Sequence, residues 1–211
     1  MVGQGVLREC LVNPEVEKVL SVGRNPSGRQ SPKLDEIVRK DLLDYSGAEA
    51  ELTGFDACFF CLGVTSVGMS EERYRQITHD IALAAARELV RRNPTMTFVF
   101  VSGMGADSSG AGPVMWARVK GETENDLIAV GFPAVYIFRP GAIVPMHGIR
   151  SKTWLYRVFY GVLGPILPLL MRWFPKYVTS TERVGKAMIR VVKRGGAQRI
   201  LENGDINELG N

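Results

Sequence analysis

A chain of 211 residues, 45% hydrophobic and 23% charged, can bury one core and is too short for two comfortable domains. Its formal net charge of +4 is interspersed with acids rather than gathered into a basic stripe with aromatics between, which argues against a dedicated nucleic-acid binder. The three cysteines (Cys10, Cys58, Cys61) and two histidines (His79, His147) supply neither a disulfide framework nor a zinc site, and no charged-then-apolar leader precedes them, so the expectation is a reduced, cytoplasmic protein without metal.

Taken in order, the pattern opens inside a helix, with Val6, Leu7, Cys10 and Leu11 as an apolar stripe ended by Asn13-Pro14. A short strand over Glu17–Arg24 closes on Gly23-Arg24, a loop rich in Pro, Ser and Gly follows, and Leu34–Asp41 reads as a second strand. Asp56–Gly63 is a stronger strand. Cys58 and Cys61 have redox-motif spacing, but positions three apart in a strand face opposite sides of a sheet, which makes them core cysteines rather than a redox pair. Ser70, with Glu71 and Glu72 behind it, starts a long helix whose stripe is Tyr74, Ile77, Ile81, Ala85 and Leu89, and Asn93-Pro94 stops it.

Phe98-Val99-Phe100-Val101 is a buried strand that opens into Ser102-Gly103-Met104-Gly105 and then a helix carrying Trp116 and Lys120 to about Val130. Residues four apart share a helix face, so Trp116 and Lys120 point the same way, and Ser102 stands at a strand's carboxyl end, where open parallel sheets bind ligands. Ala134–Phe138 is another buried strand, ending in Arg139-Pro140-Gly141. Thr179-x-x-Glu182 reads as a capping box for a last helix with Val184, Ala187, Met188, Val191 and Val192 inward, Gly195-Gly196 ends it, and Arg199–Asn203 is a closing strand. Lys186 and Lys193 fit its solvated face. Alternating strands and helices predict a doubly wound parallel sheet in a single domain over residues 1–211.

The stretch 151–177 stands apart. Val158–Met171 carries no charge, has Trp154, Tyr156, Phe159, Tyr160, Trp173 and Phe174 in or near it, and is broken by Pro165 and Pro168, too short for the roughly 20 apolar residues of a spanning helix. Two readings stand: a helical cap over a hydrophobic substrate pocket or an oligomer contact such as a homodimer, and an interfacial helix pair touching a membrane through 154–174, flanked by Arg150, Lys152, Arg157, Arg172 and Lys176.

Taken together, Val2–Glu9, Gly23-Arg24, Asp41-Leu42, Cys61-Leu62-Gly63, Val101-Ser102, Val119-Lys120-Gly121-Glu122 and Arg139-Pro140-Gly141 resemble the atypical and extended short-chain dehydrogenases, the NAD-dependent epimerase/dehydratase superfamily, and within it the Tat-interacting-protein oxidoreductases. The resemblance implies a Rossmann-like fold and a nicotinamide dinucleotide, NADP favoured over NAD, across the strand ends. It implies that Gly3, Arg24, Asp41, Leu62, Gly63, Lys120, Arg139, Pro140 and Gly141 bind the cofactor, with Arg24 meeting a 2′-phosphate and Asp41 accepting from the adenine amine. Ser102 and Lys120 would be catalytic, acting on an unidentified small hydrophobic carbonyl or hydroxyl compound.

Two departures from the pattern stand out. The family's first strand and most of its glycine-rich turn are missing ahead of Val2-Gly3, which implies a gapped sheet, or one filled by another segment or chain, poor cofactor affinity, and an internal methionine at Met1. The family's proton-donating Tyr is here Trp116, whose indole N–H donates a hydrogen bond but is no acid in the working range. The competing reading is a non-catalytic dinucleotide sensor or interaction protein.

Overall fold

The computed structural model describes residues 1–149 and 173–211, and the cap or membrane-contact stretch expected at 151–177 lies almost wholly outside them. In chain order the elements are α1 (Val2–Val12), β1 (Val19–Gly23), β2 (Leu34–Val38), β3 (Ala57–Phe60), α2 (Glu71–Arg75), a π-helical turn (Gln76–Asp80), α3 (Ile81–Arg92), β4 (Thr97–Val101), α4 (Met115–Ala129), β5 (Ala134–Arg139), β6 (Ala142–Val144), β7 (Val178–Ser180), α5 (Thr181–Arg194), β8 (Ile200–Glu202) and α6 (Asn203–Gly210).

The central sheet runs β3-β4-β5-β8, all parallel, and its alternating side chains feed two apolar layers. Val99, Val101 and Phe138 pack with Val6 and Cys10 of α1 and Val184, Ala187 and Met188 of α5. Phe98, Phe100 and Ile137 face the other way, onto Ala82 and Ala86 of α3 and Leu127 of α4. Helices on both faces make this the expected doubly wound α/β fold. β6 and β7 form a separate parallel pair.

β1 and β2 pair in parallel as a second ladder that makes no hydrogen bonds to β3, so an opening separates the two ladders, in line with the gapped sheet expected from the sequence. Backbone polarity shows how open it is. In a parallel strand the N–H and C=O of one residue point to the same side. Val19 N–H donates to Lys33 O at 2.8 Å and Gly23 O accepts from Arg39 N–H at 2.9 Å, so Val19, Ser21 and Gly23 serve β2 while Leu20 and Val22 point away. Asp56 O accepts from Thr97 N–H at 2.9 Å, so Cys58 and Phe60 serve β4 while Ala57, Phe59 and Cys61 point toward the opening.

Several local expectations are corrected. The Tyr74 helix contains a π turn, and the extra residue rotates the stripe: Tyr74, Thr78, Ala82 and Ala86 are buried, whereas Ile77 and Ile81 are only partly covered. The last helix is capped by Ser180, whose Oγ accepts from Arg183 N–H at 3.1 Å, and not by Thr179, which sits in β7 fully buried with its hydroxyl unpartnered. Glu182 instead pairs with His147 and Lys186. The strands β6 and β7 and the helix α6 were not anticipated. The cysteines behave as expected for core residues: Cys58 packs on the α3/α4 side and Cys61 on the α1/α5 side, and all three are free. Burial pushes the Cys10 and Cys58 thiols up to about 12 and Cys61 up as well, which suppresses the nucleophilic thiolate.

Candidate active site

Two groups of predicted residues come together at the carboxyl ends of the parallel strands. Arg24 follows β1, Asp41 lies just beyond β2 and Leu62 just beyond β3, and these three positions from separate stretches line one cleft of about 340 Å³. Its opposite wall is Arg73, Gln76, Ile77 and Ile81, the face that the π turn leaves uncovered. Arg73 was not anticipated, because on sequence it is simply one charge in the first turn of an exposed helix. Asp41 accepts from Leu43 N–H at 2.8 Å. Gly63 is exposed beside Leu62 with open space about its α-carbon.

Gly3 lies in the first turn of α1, where an added β-carbon would stand 3.3 Å from Cys61 Cβ, so the helix start is drawn against the end of β3. At Gly5 a β-carbon would fall 2.5 Å from Thr181 Cβ, which fixes the close crossing of α1 over α5. Gly3 thus lets the first turn of α1 lie against the end of β3, and Gly5 lets the helix cross α5.

The second group surrounds Ser102. Its backbone N–H continues the β4–β5 ladder to Phe138 O at 2.8 Å, and its hydroxyl donates to Glu124 Oε1. Glu124 is fully buried and is held by the Arg139 guanidinium, with Nε on Oε1 at 3.1 Å and Nη2 on Oε2. Arg139 also donates to Ser108 Oγ at 2.6 Å and to Glu202 at 3.3 Å. The hydrogen bonds that it donates to the Glu124 carboxylate hold the guanidinium's pKa above its ordinary value despite burial. Arg139 therefore closes an internal ion pair at the head of β5. Glu124 went unremarked in the sequence, although it follows Lys120 by one helical turn and so shares its face.

Lys120 carries no ion pair or hydrogen bond among the described residues. Its ammonium stands 5.8 Å from the Phe100 ring centroid and its stem runs past Gly103. Burial pulls its pKa down to about 8, with Glu124 pulling the other way. Trp116, one turn earlier, lays its ring against Gly105, whose φ of 87° suits glycine. Ser102, Lys120 and Trp116 thus meet around the loop after β4. Pro140 and Gly141 are structural neighbours of that loop: Pro140 O accepts from Met104 N–H at 3.0 Å, and a β-carbon on Gly141 would collide with Tyr177 O at 2.2 Å.

A separate charged cluster lies between the π turn and α4. His79 bonds Asp80 and Asp126 at 2.8 Å each, and Glu122 is taken by Arg75. His79, Glu122 and Asp126 offer donor atoms within 4.8 Å of one another, a grouping the sequence reading did not foresee.

No family model matches the chain. Protein HTATIP2 of Rattus norvegicus is 27% identical over 214 residues, covering 99% of this chain and 84% of that protein. The mitochondrial protein fmp52 of Emericella nidulans is 29% identical over 197 residues, covering 90% and 82%. Among solved structures, the Bordetella bronchiseptica enzyme WbmF in complex with NAD+ superposes with a TM-score of 0.66 at 12% identity, over 98% of this chain and 73% of that one. A UDP-galactose 4-epimerase gives 0.65 at 18%, over 95% and 73%. The chain falls in a branch with the HTATIP2 and FMP52 proteins, and its fold is that of the NAD-dependent epimerases. Within that branch the cytoplasmic expectation does not stand, because the FMP52 relatives are named as mitochondrial proteins. A reduced-cysteine composition describes a redox environment and not an address.

Proposed function

We propose that this chain binds NADP(H) across the strand ends and acts as an oxidoreductase on a small hydrophobic carbonyl or hydroxyl compound. The meeting of Arg24, Asp41 and Leu62 in one cleft carries the reading, since nothing local in the sequence requires those three to be neighbours. The residues fit the adenosine half of a dinucleotide. Leu62, Ile77 and Ile81 offer apolar walls for a base, Asp41 an acceptor for its amine, and Arg24 with Arg73 two guanidinium groups suited to a 2′-phosphate. The start of α1, which Gly3 lets lie against the end of β3, would receive the pyrophosphate.

The dinucleotide, when bound, supplies a hydride. The chain's own residues then have distinct tasks. Ser102 is oriented by Glu124, which fixes its proton and leaves lone pairs on Oγ. Lys120 would hold a ribose, and Trp116 would stand beside it without giving a proton. That last feature favours the second reading, a dinucleotide-responsive protein without turnover. Titration with NADPH and NADH tests the first step: tighter binding of NADPH that Arg24→Ser weakens by roughly 10- to 100-fold, with NADH little affected, is expected. Binding of neither nucleotide would overturn the reading. NADPH binding without carbonyl reduction, and none gained in Trp116→Tyr, would move the conclusion to the sensor. A mitochondrial location and a homodimer belong to the same proposal, and organelle fractionation and sedimentation test them.

A further inference from the structure

We propose that Lys120 is a nucleophilic amine that condenses with small hydrophobic aldehydes to form an imine. The step balances within the two reactants. The Nζ lone pair forms the bond to the carbonyl carbon, the two N–H hydrogens leave with the carbonyl oxygen as water, and a C=N bond remains, with no oxidant or reductant consumed.

The geometry is what sets Lys120 apart from other lysines. An amine is unreactive while it is an ammonium, and carboxylate partners keep it one. Lys186 and Lys193 are exposed and ion-paired, to Glu182 and Glu15. Lys120 has no such partner among the described residues. The groups packed against it are the Phe100 ring from β4, the Ser102–Gly105 loop and Glu124 of its own helix, and Glu124 is already engaged by Ser102 and by Arg139 of β5. With no carboxylate of its own, Glu124 being shared with Ser102 and Arg139, and with its stem desolvated, the ammonium is destabilised in favour of the free amine, the environment from which Schiff-base lysines arise. The residue is partly covered and not sealed off from solvent. Phe100, Gly103 and Trp116 give these surroundings an apolar, aromatic side, and the Glu124 carboxylate beside them repels an acid, which together favour an uncharged aromatic aldehyde.

The inference deepens the assignment of the Ser102–Lys120 crevice as a reactive site and does not need the dinucleotide. The test treats the full chain with benzaldehyde and sodium cyanoborohydride, which traps imines as stable amines, and maps the benzylated lysines by mass spectrometry over a pH series. Lys120 should be labelled at pH 7 at least ~10-fold faster than Lys186 or Lys193, because a lysine titrating near 8 has far more free amine there than one near ~10.4. Its rate should climb to a plateau above about pH 8 while theirs keep rising. Lys120→Arg should abolish that label and leave the others. Labelling of Lys120 at or below the surface rate, or without the early plateau, overturns the proposal. Repeating the reaction with NADPH separates the two ideas: fast labelling that NADPH blocks supports both, and fast labelling that NADPH leaves unchanged supports the imine while counting against a dinucleotide in this crevice.

Discussion

Glu124 is the residue on which the head of β5 depends. Its carboxylate is fully buried, and the hydrogen bonds from Ser102 and Arg139 compensate its desolvation. Glu124→Ala leaves the Arg139 guanidinium without its main partner, and urea unfolding should show a loss of about 3–5 kcal/mol. Glu124→Gln should cost less, since the amide oxygen still accepts. Lys120 works in the opposite sense. Its folded pKa lies below that of the unfolded chain, so between about 8 and ~10.4 the unfolded state binds more protons, and stability rises with pH across that window. Lys120→Met should therefore raise the melting temperature at pH 7, where the buried ammonium is a liability, and the advantage should fade as pH climbs past the unfolded value. An advantage that is the same at every pH would place the gain in packing alone.

Among the elements, α1 and the open strand edges bear the strongest constraints. Gly5→Ala puts a methyl 2.5 Å from Thr181 Cβ and 3.0 Å from Thr181 O, so α1 must lift from α5 and thermal unfolding should fall by about 1–3 kcal/mol. Ser180→Ala removes the cap of α5 and should cost about 1 kcal/mol. The two edges facing the opening predict an exchange pattern. Amide deuterium uptake at Leu20, Val22, Ala57 and Phe59 should be much faster than at Val99 or Ile137, which lie in strands paired on both sides. Equal protection at all six would mean that the edges find partners in solution.

At the scale of the molecule, the two ladders share one helical layer: Val19 of β1 and Phe59 of β3 pack on the same core as α1 and α5. The halves of the proposed cofactor cleft, Arg24 and Asp41 on one side and Leu62 on the other, belong to different ladders joined through that layer. A ligand bridging them should stabilise the whole fold. At 100 times its dissociation constant NADPH would add about 2.7 kcal/mol, visible as a rise in melting temperature that Arg24→Ser diminishes. A melting temperature indifferent to NADPH would separate the fold from the cofactor.

The sequence by itself determined the elements whose signal is periodic or punctuated. Phe98–Val101 is apolar on both faces, Ser70 and Asn93-Pro94 bracket their helix, and the Cys58/Cys61 spacing places those side chains on opposite faces of a strand. The order of these elements gave the doubly wound class, and the resemblance gave the Ser102, Trp116 and Lys120 positions. Tertiary structure decided what depends on neighbours distant in the chain. The π turn that turns Ile77 and Ile81 toward the cleft follows from how the helix packs, not from its composition. Thr179 and Ser180 are equivalent capping residues on paper; both end up buried in β7, and the fold starts the helix after Ser180, whose hydroxyl then takes the Arg183 N–H. Arg73 and Glu124 read as ordinary helix charges until the fold sets one in the same cleft as Arg24 and the other between Ser102 and Arg139. Short strands such as β6 and β7 carry too few residues for a pattern, and a buried ion pair leaves no local trace because its partners are specified by packing.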